Sequence, residues 1–324
     1  MPKPGAARLF VKLAFLFGPF LLLAAGVFAV IESPATTKRA YLDDKIARLI
    51  TNTPERPRVI VAGDSRAQSN IIPRVLDAEL KTNTANVAVG VGLLYQTVDA
   101  LKKADALNHQ SLIIISVSSY QISDGFVLDA DPIDVEVIAH KQWGVQKIMD
   151  ARNYFDNQYD YYFNRLKTFL RPDVSDPERM SEEVFAAKGY TEKKGLFAST
   201  SGPNTTDEVY QNVTVGGVKQ KKFEEALRTL GATNDTVVII EPPYAPSAWR
   251  AYDGTNAKTT EEQFADIIHS AIAPYPNMHM KHYALTPTTL QDSAFADSVH
   301  LNKAGAEIFT KQLARDVKSL LPKH

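Results

Sequence analysis

The sequence predicts a three-layer α/β domain built on a mainly parallel five-stranded sheet. Two observations predict it. Short, continuous apolar runs recur, such as Val59-Ile60-Val61-Ala62 and Ile113-Ile114-Ile115. Strands buried on both faces have this composition. Stretches with apolar residues at helical spacing separate the runs, and that alternation implies parallel βαβ units.

The elements follow in order. Lys3, Arg8 and Lys12 precede an uncharged apolar stretch, residues 13–31. A bilayer-spanning helix needs about 20 such residues. Gly18 and Pro19 interrupt the stretch, which membrane helices tolerate. Residues 1–32 therefore read as a cytoplasmic tip and transmembrane anchor, and the leading positive charge directs the rest of the chain outward. A cleaved signal peptide ending near Val27-Phe28-Ala29 is the alternative. Residues 33–57 read as a stalk with one short helix over Ala40–Ile50.

The main domain, 58–321, opens on a strand from Arg58 to Ala62, which runs into a tight turn at Gly63-Asp64-Ser65. Pro73 starts a helix. Thr84–Val89 is a second strand ending at Gly90 and Gly92, Leu93–Leu107 a helix, and Ser111–Val117 a third strand. An insertion at about 125–217 breaks the rhythm. It holds an aromatic stretch from Trp143 to Phe169 and a polar, loop-like second half. The rhythm returns with a helix over Lys219–Leu230, whose Lys219, Lys221 and Lys222 read as a solvated face. Thr236–Ile240 is a fourth strand. Thr259-x-x-Glu262 is a capping-box pattern opening a helix to about Ala273. Met278–Leu285 is a fifth strand, and a helix from about Asn302 to Leu321 closes the chain.

Composition narrows the chemistry. A formal net charge of -1 over 324 residues gives no electrostatic case for nucleic-acid binding. The absence of cysteine excludes disulfides, thiolate metal sites and cysteine nucleophiles. His279 and His282, three apart on a strand, make a poor metal pair. Neither a metal nor any other cofactor is expected.

Two short motifs carry chemistry. Gly63-Asp64-Ser65 follows the first strand, and Asp297-Ser298-Val299-His300 precedes the last helix. A serine hydroxyl needs a base during attack. Histidine suits that role, and a carboxylate fixes its tautomer. In open α/β sheets, sites form beyond the carboxyl ends of strands, where Ser65 sits. Each residue also has a plain structural reading: Ser65 as a turn serine, Asp297 as a helix cap, His300 as a packed histidine.

In order and placement, Gly63-Asp64-Ser65 and Asp297-x-x-His300, followed by Leu301, Asn302 and Gly305, resemble the first and last blocks of the SGNH/GDSL hydrolases. The resemblance covers residues 58–124 and 219–321. It implies the flavodoxin-like SGNH fold, with Ser65, Asp297 and His300 as catalytic residues. It also implies an oxyanion hole made by the nucleophile's N–H, a glycine after the second strand (Gly90 or Gly92) and an asparagine after the third. This chain has Ser116-Val117-Ser118-Ser119-Tyr120-Gln121 at the third position, so Ser118, Ser119 and Gln121 become the candidate donors. Arg66 replaces the usual leucine and is a candidate for holding an anionic polymer.

Gly-Asp-Ser-Arg with downstream Pro73 is similar to bacterial single-span SGNH-like proteins of cell-surface polymer acylation. That likeness implies an extracytoplasmic esterase or O-acyltransferase acting on acyl, chiefly acetyl, esters of a carbohydrate polymer, with a membrane-bound O-acyltransferase as partner. A catalytically degenerate module that binds polymer or scaffolds such a partner is the alternative. A secreted general esterase is a further one.

Overall fold

The computed structural model describes residues 37–125, 132–141, 144, 147–152, 179–197, 213–252, 256–284 and 289–322. The expected anchor (13–31) and the stretch Tyr154–Phe169 lie outside these residues. Among the described residues, no helix is long and apolar enough to cross a membrane.

Five strands form one sheet: β1 (Val59–Gly63), β2 (Thr84–Asn86), β3 (Leu112–Ser116), β4 (Thr236–Glu241) and β5 (Met278–His282). Their order is β2-β1-β3-β4-β5, and every pairing is parallel. This is the flavodoxin-like order, with its switch point between β1 and β3.

Alternation along each strand sorts side chains into two cores. Ile60, Ala62, Ile113, Ile115, Val237 and Ile239 face one core. It is covered by α1 (Thr37–Ile46), α4 (Leu94–Lys103), α7 (Val218–Gly231) and α9 (Asn256–Ile272). Val59, Val61, Leu112, Ile114, Val238 and Ile240 face the other, beneath α2 (Ser65–Asn70), α3 (Pro73–Leu80) and α10 (Lys303–Val317). The remaining labelled helices are α5 (Pro132–His140), α6 (Glu182–Ala186) and α8 (Pro246–Ala251).

Several expectations change. The region read as a stalk is built into the domain. Leu42, Ile46, Leu49 and Ile50 are buried in the first core. Lys45 is wholly buried among them; its Nζ donates to Ala88 O at 2.7 Å and Gly189 O at 2.9 Å, and burial pushes its pKa down to about 7. Helix α2, read as part of a turn, begins at Ser65 itself. Thr259 does not open a helix, because α9 already runs from Asn256. Lys219 is buried rather than solvated.

Within the insertion, residues 189–197 run past the candidate site. Thr191 N–H donates to Gln68 O on α2, and Phe197 N–H to Phe295 O beside the histidine loop.

Candidate active site

Strand β1 ends at Gly63, whose φ of +119° suits glycine; a Cβ there would lie 2.2 Å from Ser116 O. Asp64 follows in extended conformation and caps α2, its Oδ1 accepting the Arg66 N–H at 3.1 Å. Ser65 is thus the first residue of a helix, at the carboxyl edge of the sheet and beside the switch point. His300 reaches it from the loop before α10. Its Nε2 lies 2.8 Å from Ser65 Oγ, and its Nδ1 lies 2.8 Å from Asp297 Oδ2.

The Asp297 loop orients itself. Oδ1 of Asp297 accepts the backbone N–H of Val299 at 3.0 Å and of His300 at 2.8 Å. Burial alone would raise the Asp297 pKa, but the His300 contacts and these two N–H groups outweigh it and hold the carboxyl below its ordinary range. Asn302, not Asp297, caps α10, with Oδ1 accepting Gly305 N–H at 3.1 Å. Asp297 is therefore left to His300, whose Nδ1–H it accepts. Nε2 then carries the lone pair that takes the Ser65 O–H. Three residues from two distant stretches of chain make one hydrogen-bonded row, at the carboxyl end of β1 in a 2-1-3-4-5 sheet.

The fold is a flavodoxin-like three-layer α/β arrangement. Two solved structures are similar to the chain. The lipase/acylhydrolase from Enterococcus faecalis shares 14% identity at a TM-score of 0.38, over 82% of this chain and 99% of that one. The carbohydrate acetylesterase family member from Sinorhizobium meliloti shares 11% at 0.33, over 81% and 98%. No family model and no curated protein matches the chain.

The SGNH-like oxyanion hole is only partly provided for. Ser65 N–H, first in its helix, has no intrahelical acceptor. Gly90 N–H makes no backbone hydrogen bond among the described residues, and the space around its α-carbon is open. Gly92 is not the donor, because its N–H is spent on Val89 O at 3.1 Å. It is glycine for packing, since a Cβ would lie 2.4 Å from Gly63 O.

The three candidates after β3 point inward, and all are fully buried. Ser118 Oγ donates to Asp64 Oδ2, and Ser119 Oγ to Glu261 Oε1. Gln121 Oε1 accepts Leu94 N–H at 3.2 Å, at the start of α4. None of these side chains is presented to a substrate.

Arg66 is also corrected. It is 1% exposed, so it cannot hold a polymer. Its guanidinium donates to Val117 O at 2.9 Å, Ser118 Oγ at 2.5 Å and Pro242 O at 3.3 Å, and lies 5.3 Å over the Tyr244 ring. Nε stands 3.8 Å from Asp64 Oδ2. Asp64 also accepts Ser116 Oγ at 3.0 Å and Tyr120 OH at 3.4 Å. The pair locks the start of α2 to the end of β3.

Behind this pair lies a polar network that the sequence did not suggest. Glu241 ends β4 and Glu261 lies on α9, both buried. Tyr244 OH donates to Glu261 Oε1 at 3.2 Å. His282 Nδ1 meets Glu241 Oε2 at 2.7 Å, and its Nε2 meets His269 Nε2 at 2.7 Å toward the surface. Burial, then repulsion from Glu241, pushes the Glu261 pKa up to about 7, against the pull of Ser119, Arg66 and Tyr244. Glu241 Oε1 and Glu261 Oε2 lack hydrogen-bond partners among the described residues.

Proposed function

We propose that this chain is an SGNH-type serine esterase or O-acyltransferase. The observation that carries the reading is the unbroken row from Ser65 Oγ through His300 to Asp297. In the reaction, Ser65 Oγ attacks an ester carbonyl carbon and passes its proton to His300 Nε2. Asp297, ionised, stabilises the imidazolium. The carbonyl oxygen becomes an oxyanion facing the N–H groups of Ser65 and Gly90. Collapse breaks the ester C–O bond, and His300 returns the proton to the departing alcohol, leaving acyl-Ser65. Water releases the acid in hydrolysis; a second hydroxyl takes the acyl group in transfer.

The finer reading is an acyl, chiefly acetyl, ester of an extracytoplasmic carbohydrate polymer. It assigns residues 13–31 as a membrane anchor and a membrane-bound O-acyltransferase as partner. The basic residues before the apolar stretch and the Gly-Asp-Ser-Arg start support it.

Acetylesterase activity on a chromogenic acetyl ester tests the general reaction. Activity that survives Ser65→Ala in folded protein would sink the covalent route. The missing third donor favours a second reading, a degenerate module that binds polymer. Loss of one such donor costs roughly 10²–10³ in rate. Polymer acylation that persists in Ser65→Ala but fails on deletion of the domain selects that reading.

A further inference from the structure

We infer that Asn70 is the positioning residue that sets the distance between Ser65 and His300. The inference rests on the acyl-serine reading for its catalytic consequence, but its geometry stands alone. Asn70 is the last residue of α2, five residues beyond Ser65, and is 0% exposed. Its side chain crosses to the histidine loop and grips the backbone on both sides of His300. Oδ1 accepts Leu301 N–H at 2.9 Å, and Nδ2 donates to Val299 O at 3.4 Å. Among the described residues, the remaining hydrogen bond between α2 and this loop is Ser65 to His300 itself.

The loop's other attachments lead elsewhere. Ala296 N–H donates to His300 O at 2.8 Å, Asn302 N–H to Ala294 O at 3.0 Å, and Ala245 N–H to Ser298 O at 2.9 Å. These bonds shape the loop and tie it to the chain after β4. None measures it against the nucleophile's helix. Asn70 does, because the same short helix carries Ser65 at its first position and Asn70 at its last.

The residue type is what the task requires. One neighbouring backbone group is a donor and the other an acceptor, so the side chain must offer both functions on one small planar group. An amide does; an ionised carboxylate accepts only, and leucine does neither. The partners also fix the amide orientation, since Oδ1 must face Leu301 N–H. The far side of Asn70 is held too. Thr310 Oγ1 on α10 donates to Asn70 O at 3.3 Å. The clamp is anchored at both ends.

The test compares Asn70→Leu, which loses both bonds, with Asn70→Asp, which keeps the Leu301 bond. Each variant is crystallised, labelled with a fluorophosphonate and assayed on the chromogenic ester. In Asn70→Leu, the Ser65 Oγ to His300 Nε2 separation should open from 2.8 Å to beyond hydrogen-bonding distance, with the sheet unchanged. A misplacement of about 1 Å costs on the order of 100-fold, so kcat and labelling rate should fall by about that factor, with KM within about twofold. Asn70→Asp should fall between Asn70→Leu and wild type.

An Asn70→Leu protein that keeps the 2.8 Å separation and wild-type kcat overturns the inference. If Asn70→Leu does not fold, Asn70→Asp decides: wild-type kcat overturns it, and loss in kcat with KM held supports it. Wild-type protein that takes no label, while Asn70→Leu opens the separation, removes the acyl-serine reading and leaves the positioning role standing.

Discussion

A serine hydroxyl attacks only if a base takes its proton; on the acyl-serine reading that base is His300, which Asp297 orients. Asp297→Asn keeps the shape of the row but offers Nδ1 an amide that can present the wrong tautomer. Its kcat should fall by about 10⁴, with the fold intact by circular dichroism. Asp297 also predicts a stability effect with a definite sign. Its carboxyl is held below its ordinary range, so its contribution is present above the unfolded pKa of about 3.9 and is lost as pH falls through the folded value. Acid titration of wild type against Asp297→Asn should therefore show a steeper loss of stability below about pH 4 in wild type. Ser65, Asp297 and His300 were legible in the sequence because each motif is local, and Asp-x-x-His closes on itself in one turn. The inward turn of Ser118 and Ser119 was not. It is decided by Asp64 and Glu261, which lie 54 and 142 positions away along the chain. Arg66 was misread for the same reason: its acceptors come from the segment just after β3 and from the loop after β4.

At the scale of elements, β1, β3 and β4 were legible because a continuous apolar run of about four residues has few other places to go than a doubly covered sheet, whereas β2 and β5 carry no such run and stop short of Val89 and Leu285. Helix α2 was not. Its sequence, Ser-Arg-Ala-Gln-Ser-Asn, is short and polar, with no apolar period to read. It holds through a local cap, Asp64, at one end and the tertiary Asn70 clamp at the other. The stalk was misassigned for a related reason. Apolar spacing over Ala40–Ile50 signals a helix, but not whether a partner surface exists for it. The turn into α2 carries a sharp prediction. Gly63→Ala would place a Cβ 2.2 Å from Ser116 O at a positive φ. It should lower unfolding free energy by about 2–4 kcal/mol in urea melts and slow labelling of Ser65.

Across the whole molecule, the buried acids behind the site couple folding to pH. Glu261 titrates near 7 in the folded state, well above its unfolded range, because burial and Glu241 both oppose its charge. The sign is opposite to that of Asp297. Its contribution is full below the unfolded pKa and is lost as pH rises through about 7, by about 3 kcal/mol at most. Glu261→Gln, which carries no charge at any pH, should flatten stability between about pH 5 and pH 8, and melt above wild type at the alkaline end. A wild-type profile that is already flat there would contradict the raised Glu261 pKa.

The central claim, that this domain works through an activated serine, is tested most directly by intact mass and peptide mapping after fluorophosphonate treatment. The geometry predicts one adduct, on the peptide carrying Ser65, and its loss in folded His300→Ala. Folded wild-type protein that takes no adduct, or takes it at another serine, would contradict the claim.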